Sequence, residues 1–205
     1  MICVNNLNKR FGSREVLRNV SFEIGEGVCG LIGKNGAGKT TLLRMIAGVY
    51  DIKGGEITLN GKKISKADVG YVPQEYGLFE DARLIDMIEY MASLMKIKGD
   101  IKEEAKRVLD LVNLYDRRND KIRKLSGGMK RRAAIAQGIL GNPPVILFDE
   151  PTTGLDFDEK DAFYDFIRQI SSDHIIIIST HMREDIQAVC TDSLLLTNGE
   201  IKHND

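Results

Sequence analysis

Gly33-Lys34-Asn35-Gly36-Ala37-Gly38-Lys39-Thr40 is the stretch that decides how this chain folds. An apolar run, Val28-Cys29-Gly30-Leu31-Ile32, precedes it, and Thr41-Leu42-Leu43-Arg44-Met45-Ile46-Ala47 follows, so the pattern predicts strand, glycine loop, helix. That is the pattern of a phosphate-binding P-loop. Wrapping a triphosphate in backbone N–H groups demands close approach and positive φ, which glycine supplies without steric cost. The following helix aims its unpaired amides and positive dipole end at the phosphates. Lys39 is placed to reach the β- and γ-phosphates, and the Thr40 hydroxyl to ligate Mg²⁺. At average glycine usage the four fixed positions would coincide by accident in about one in a hundred chains of this length.

Outward from the loop, the chain reads in order. Residues 1 to 24 alternate apolar and polar positions (Ile2, Val4, then Val16, Val20, Phe22, Ile24), as half-buried antiparallel strands do. Gly54-Gly55 breaks the chain before Glu56-Ile57-Thr58-Leu59, Asn60-Gly61 marks a hairpin turn, and Val69-Gly70-Tyr71-Val72 is a short strand ended by Pro73. From about 79 to 140 the period turns helical: Leu84, Ile88, Met91 and Met95, then Ile101, Ala105, Val108, Leu109 and Val112, with Gly99-Asp100 between the two helices. The methionines on these faces are expected to be core packing. Val145 to Phe148 and Ile175 to Ile178 are apolar without alternation, as strands buried on both faces of a parallel sheet are. Helices are expected at 157–170 and 183–189, and a terminal hairpin turns at Asn198-Gly199.

The expected architecture is therefore α/β: a P-loop NTPase with a mixed-sheet core, an antiparallel β-subdomain and an inserted α-helical subdomain, all in one domain over 1–205. The charge is nearly balanced, with 29 Lys and Arg against 30 Asp and Glu and a net charge of -1, which disfavours a general nucleic-acid binder. No apolar run approaches the roughly 18 residues that span a bilayer, and the first residues lack a basic-then-apolar leader. The expectation is a soluble, cytoplasmic chain unless a partner holds it at a membrane. Cys3, Cys29 and Cys190 are odd in number and widely spaced, so they are read as reduced thiols.

A second chemical signal lies downstream. Asp149-Glu150 ends the run Val145 to Phe148, and the carboxyl end of a buried strand is where open α/β sheets hold ligands. Asp149 is suited to orient Mg²⁺ through its water shell, and Glu150 to polarise the water that attacks the γ-phosphate. Such a pair alone is a weak signal; behind a P-loop it is a strong one.

With Leu125-Ser126-Gly127-Gly128-Met129 added, the sequence resembles the nucleotide-binding subunit of ATP-binding cassette (ABC) transporters, from about residue 2 to 202. A Ser hydroxyl and Gly amides at a helix N-terminus make a second anion site; in the family this signature completes the ATP site of an opposing subunit. Met129 departs from the commoner Gln. The resemblance implies nucleotide contacts from Phe11, where an aromatic ring stacks on adenine, from Val16, from Gly33, Lys34, Asn35, Gly36, Ala37, Gly38, Lys39, Thr40 and Thr41, and from Ser126, Gly127 and Gly128. On the residues alone, Phe11 also fits the core of the β-subdomain. Gln74 resembles the glutamine that joins the Mg²⁺ shell with Thr40 and Asp149 and also contacts nucleotide. His181 resembles the switch histidine that hydrogen-bonds the γ-phosphate, so Glu150, His181 and Lys39 form the implied catalytic set. Gly154-Leu155-Asp156 resembles the loop that crosses between paired subunits, with Asp156 communicating rather than catalysing. His174 and His203, without such context, are expected to be solvated, as is Lys130-Arg131-Arg132 on the signature helix.

The resemblance implies an ATPase using ATP and Mg²⁺, paired with a second copy of itself or a close relative, peripheral on the inner face of the cell membrane. A separate membrane-spanning subunit would carry the transport path and meet the apolar group Tyr76, Leu78 and Phe79. The short C-terminal end is expected to leave no room for a regulatory domain, and no nucleic acid is expected. Leu-Ser-Gly-Gly-Met-Lys-Arg-Arg is more similar to cassettes of bacterial exporters than of importers. The alternative is a soluble ABC-type ATPase acting on nucleic acid, ribosomes or protein assembly, but such relatives usually carry two cassettes or a coiled-coil insertion.

Overall fold

In the computed structural model, residues 1–202 are described, and His203 lies outside them. They divide into two compact units, Met1–Tyr71 with Pro144 onward, and Val72–Pro143. The second unit is wider by a few residues at each end than the helical segment expected from periodicity.

In the first unit, β1 (Ile2–Phe11) and β2 (Arg14–Ile24) form an antiparallel pair, and β3 (Gly27–Ile32) leads through the glycine loop into α1 (Lys39–Ile46). β4 (Glu56–Leu59) and β5 (Lys62–Lys63) complete a four-stranded sheet in the order β2-β1-β4-β5, followed along the chain by β6 (Val69–Val72). The helices of the second unit come next: α2 (Leu84–Leu94), α3 (Ile101–Leu111) and α4 (Gly127–Gly138). The chain then returns to the first unit with β7 (Val145–Asp149), α5 (Phe157–Ile170), β8 (Ile175–Thr180), α6 (Arg183–Val189), β9 (Asp192–Thr197) and β10 (Glu200–Lys202).

The second sheet has the order β10-β9-β3-β8-β7-β6, with β3 parallel to both β8 and β9 and β7 parallel to β8. Two of its inner strands, β7 and β8, are buried at every position, which is why their sequences show no alternation. One core cluster joins the inner faces of both sheets, from Ile2, Val4 and Leu17 to Leu42, Leu147 and Ile177.

The β1–β2 ribbon does not keep the simple period of two. Asn6 and Asn19 adopt left-handed backbone (φ 51° and 46°), and the register shifts between Val4 and Leu7 and again between Leu7 and Lys9. These are β-bulges, which insert a residue and turn Leu7 and Leu17 inward three positions from Val4 and Val20. Side chains hold them: the Asn6 N–H donates to Ser21 Oγ at 2.9 Å and the Asn19 N–H to Asn8 Oδ1 at 2.8 Å.

In the second unit, Leu84, Met87, Ile88 and Ala92 of α2 are buried, as are Ala105, Val108 and Leu109 of α3. Asp100 caps α3, accepting from the Lys102 N–H at 2.8 Å. The methionine expectation needs correcting. Met87 packs in the core, but Met91 is half-buried and Met95 is 44% exposed, because α2 stops at Leu94 and Met95 sits beyond its last turn. Lys130-Arg131-Arg132 is not a solvated face either. All three are half-buried; Lys130 pairs with Glu80 at 2.9 Å, and Arg132 donates to the Val112 and Asn113 carbonyls. His174 is buried, not solvated, where the chain enters β8, and its carbonyl accepts from the Gly27 N–H at 3.1 Å.

Leu147 is fully buried on the inner strand β7. Leu147→Ala is expected to lower the unfolding free energy by roughly 2–5 kcal/mol, measured by denaturant titration, because the packed sheet cannot collapse around the lost volume.

Candidate functional site

The carboxyl ends of β3, β7 and β8 lie side by side in the parallel sheet, so whatever follows each strand converges there. After β3 comes the glycine loop. A Cβ on Gly33 would lie 2.6 Å from the Leu196 carbonyl oxygen, so no side chain fits. Gly38, the residue before α1, has φ 110°, and its Cβ would meet Leu17 at 2.9 Å. No side chain caps α1 and its first turn carries no acidic residue, so its positive end is left for an anion. Beside the loop, Val16, Gly36 and Ala37 line a pocket of about 300 Å³ with Arg14 and Arg18.

Lys39 is the first residue of α1 and only 4% exposed. Its Nζ donates to the Gly33 carbonyl at 2.7 Å and pairs with Glu150 Oε1 at 3.1 Å. Next to it, the Thr40 hydroxyl donates to Asp149 Oδ1 at 3.1 Å.

Asp149 ends β7 and is 1% exposed. A buried carboxylate must be met by donors, and three elements supply them: Thr40 from α1, the Ser179 hydroxyl of β8 to Oδ1 at 2.7 Å, and the Tyr71 hydroxyl of β6 to Oδ2 at 3.1 Å. Burial pushes the Tyr71 phenol up to about 12, so it stays a donor. Behind it, Arg44 of α1 donates to Tyr71 Oη at 3.4 Å and to Tyr50 Oη at 3.2 Å.

Glu150 follows in left-handed backbone, φ 49°, unusual for a residue with a long side chain. Its N–H is held by Ser179 through both the carbonyl at 3.1 Å and the hydroxyl at 3.0 Å. Its carboxylate is shared: Oε1 on Lys39, Oε2 within 3.0 Å of His181 Nδ1 and 3.2 Å of the Thr153 hydroxyl. Burial pushes the Glu150 carboxyl up, but the hydrogen bond and charge of Lys39, with His181 and Thr153 behind them, outweigh it and hold the group below its ordinary 4.5.

Lys39, Thr40, Asp149, Glu150 and His181 thus meet at one sheet end, as their separate motifs suggested. Phe11 is 44% exposed, not in the core; its ring stands edge-on to Tyr50 at 5.4 Å with Lys9 Nζ 5.3 Å from its centroid, leaving a face for a planar ligand. Asp156 caps α5, accepting from the Glu159 N–H at 2.9 Å. Gln74 and the Ser126 turn belong to the second unit. Gln74 is exposed; Ser126 caps α4, its Oγ accepting from the Met129 N–H at 3.2 Å, with open space at Gly127. The partners of Asp149 at Ser179 and Tyr71 carry no motif of their own, and sequence reasoning gave them no role.

The oxygen donors at Thr40 and Asp149 suit a hard divalent cation such as Mg²⁺, which takes one or two protein oxygens and fills its shell with phosphate and water.

A family model described as ABC transporter matches residues 17–153. An uncharacterised ABC transporter ATP-binding protein of Methanocaldococcus jannaschii is 35% identical, over 98% of this chain and 76% of its own length. A methionine import ATP-binding protein of Clostridioides difficile is 33% identical, over 98% and 67%. Among solved structures, the post-hydrolysis dimer of an ATP-binding cassette bound to ADP and Pi superposes with a TM-score of 0.87 at 24% identity, covering 100% of this chain and 98% of that one. A bacterial Atm1-family ABC exporter with ATP bound superposes at 0.82 and 27% identity, over 98% of this chain but 38% of that one.

The Lys39–Glu150 pairing is testable by titration. Because the Glu150 carboxyl is held low, its contribution to stability is present above pH 4.5 and is lost as the pH falls through the lowered value. In Lys39→Ala, burial is left without its main counterweight, and the Glu150 carboxyl should titrate at higher pH than in the native chain by ¹³C NMR. An unchanged midpoint would show that the pair does not set it.

Proposed function

This chain belongs to the ABC transporter family and is an ATPase of that family, and from that premise we propose that it powers movement of a substrate through a separate membrane-spanning subunit. One observation supports the reading above others: at one end of the sheet Lys39 and His181 both pair with Glu150, Thr40 donates to Asp149, and Ser179 bridges the two consecutive carboxylate residues.

In this reading Lys39 and the loop amides hold the β- and γ-phosphates, and α1 adds the field of its N-terminus. Thr40 and Asp149 would hold Mg²⁺, which when bound would neutralise developing charge on the phosphate oxygens. Glu150 accepts hydrogen from the attacking water, and its held-down pKa keeps it ionised at neutral pH. His181 gives the γ-phosphate a hydrogen bond without a fixed charge. Phe11 offers its exposed face to adenine, and Val16 and the pocket beside Gly36 receive the rest of the nucleotide. Ser126, Gly127 and Gly128 serve the ATP held by a second copy or close relative, with Asp156 near the crossing.

Among the described residues no helix is long and apolar enough to cross a membrane, so the path for substrate is assigned to another subunit and this chain to the inner membrane face. Phe79 and Tyr90, 52% and 54% exposed and in edge contact at 5.9 Å, are assigned with Tyr76 and Leu78, which shortly precede Phe79 in the chain, as the surface for that subunit. Export is favoured by Leu125 to Arg132 and by the likeness to an exporter, although one relative serves methionine import. Purification from detergent-solubilised membranes with a multi-span protein at about one-to-one ratio would support the transport role. Recovery only with ribosomal or assembly proteins would overturn it.

Two substitutions test the chemistry. Glu150→Gln should retain ATP binding and lose roughly 10²-fold or more in turnover; near-normal turnover would remove Glu150 from its role. Phe11→Ala should weaken ATP by roughly 1–3 kcal/mol in a binding titration, and unchanged affinity would dismiss the stacking platform.

A further inference from the structure

Outside the phosphate site, one buried carboxylate has no part in the reading above. Asp185 of α6 is 1% exposed, and three hydroxyls donate to it. Thr152 Oγ1, at 2.8 Å, and Thr180 Oγ1 share Oδ2, while Tyr164 Oη donates to Oδ1 at 2.6 Å. The donors come from three places in the chain: Thr152 lies two residues past Glu150, Thr180 directly precedes His181, and Tyr164 is on α5.

The geometry gives these bonds direction. A hydroxyl has one proton, and Thr180 gives it to Asp185, so the same oxygen accepts the Met182 N–H at 3.0 Å. The backbone on both sides of His181 is thereby tied to one carboxylate. Thr152 ties the turn behind Glu150 to the same group. His181 itself is 42% exposed and contacts Glu150 at 3.0 Å, so its ring has few packing neighbours to fix it and depends on how its backbone is held.

We propose that Asp185 is a positioning residue for the hydrolytic site, which acts through Thr180 and Thr152 to hold His181 at its distance from Glu150. The proposal rests on the reading in which Glu150 and His181 act together on ATP. A group that positions another is expected to move turnover while leaving substrate binding nearly intact, since small displacements of a reacting group are costly. A merely structural carboxylate would lower stability and every function alike.

The test is a double-mutant cycle joined to amide exchange on the ligand-free protein. Asp185→Asn keeps the volume of the side chain and changes its acceptor pattern. It should lower kcat about tenfold with KM for ATP changed less than about twofold, and in a His181→Ala background it should lower kcat less than about twofold. Exchange of the Met182 amide should quicken at least about tenfold while that of Ile177, in the core of β8, is unchanged. Where Asp185→Asn does not fold, Tyr164→Phe removes a single donor and is read in the same way. An equal loss of kcat with and without His181, or Met182 and Ile177 exchange that move together or not at all, would overturn the proposal. If His181→Ala turns over as fast as the native chain, the role given to His181 falls, and the exchange measurement still decides whether Asp185 holds that loop.

Discussion

A carboxylate taken out of water must find donors inside the fold, and at Asp149 that requirement joins the parts of the first unit. The group is 1% exposed, and its three hydroxyl partners come from the helix after the glycine loop, from the neighbouring strand β8 and from β6. Leaving a buried acceptor unpaired costs about 1–3 kcal/mol, and more for a charged one. Strand register, the seating of α1 and the aim of Tyr71 therefore cannot vary independently. Such a network fixes the oxygens of Thr40 and Asp149 relative to one another at the sheet end.

The same end of the sheet stores a less comfortable arrangement. Glu150 has positive φ, which costs a residue with a Cβ of order 1–2 kcal/mol, and it persists because Ser179 holds its amide twice. The strain turns the side chain toward Lys39 and His181 and away from the line of β7. Ser179 thus has two tasks, donating to Asp149 and accepting from the next residue's amide. One small side chain on β8 fixes the directions of two consecutive carboxylates that carry different expected work.

Much of this was legible in the sequence, and the reason is local. The glycine loop, the unalternating strands β7 and β8, and the helices at 157–170 and 183–189 are each specified by contiguous residues whose spacing matches a single element. The site motifs were legible for the same reason, since a P-loop or an Asp-Glu pair after a strand is a short pattern. Ser179, Tyr71 and Asp185 were not, because their importance arises from pairings across 30, 78 and 33 positions and nothing in their immediate neighbours announces it. The bulges at Asn6 and Asn19 hid the true inward positions, Leu7 and Leu17, behind an apparently regular alternation. His174 and Lys130 to Arg132 were misjudged because polarity in sequence says what a side chain needs, and only the fold says whether protein or water supplies it.

In the proposed mechanism the pairing of Lys39 with Glu150 would set the order of events at the site. Each is nearly enclosed, and each compensates the other's burial at 3.1 Å. A phosphate that draws on Lys39 leaves Glu150 less compensated, which raises that carboxyl's affinity for a proton. Under the proposed mechanism this has a useful sign. Before phosphate arrives, Glu150 is held ionised and committed to Lys39; once Lys39 is engaged elsewhere, the same carboxylate becomes both free and more basic, ready to accept hydrogen from water. In that mechanism the ion pair would link occupancy of the phosphate loop to the strength of the base, through one charge and without a change of fold.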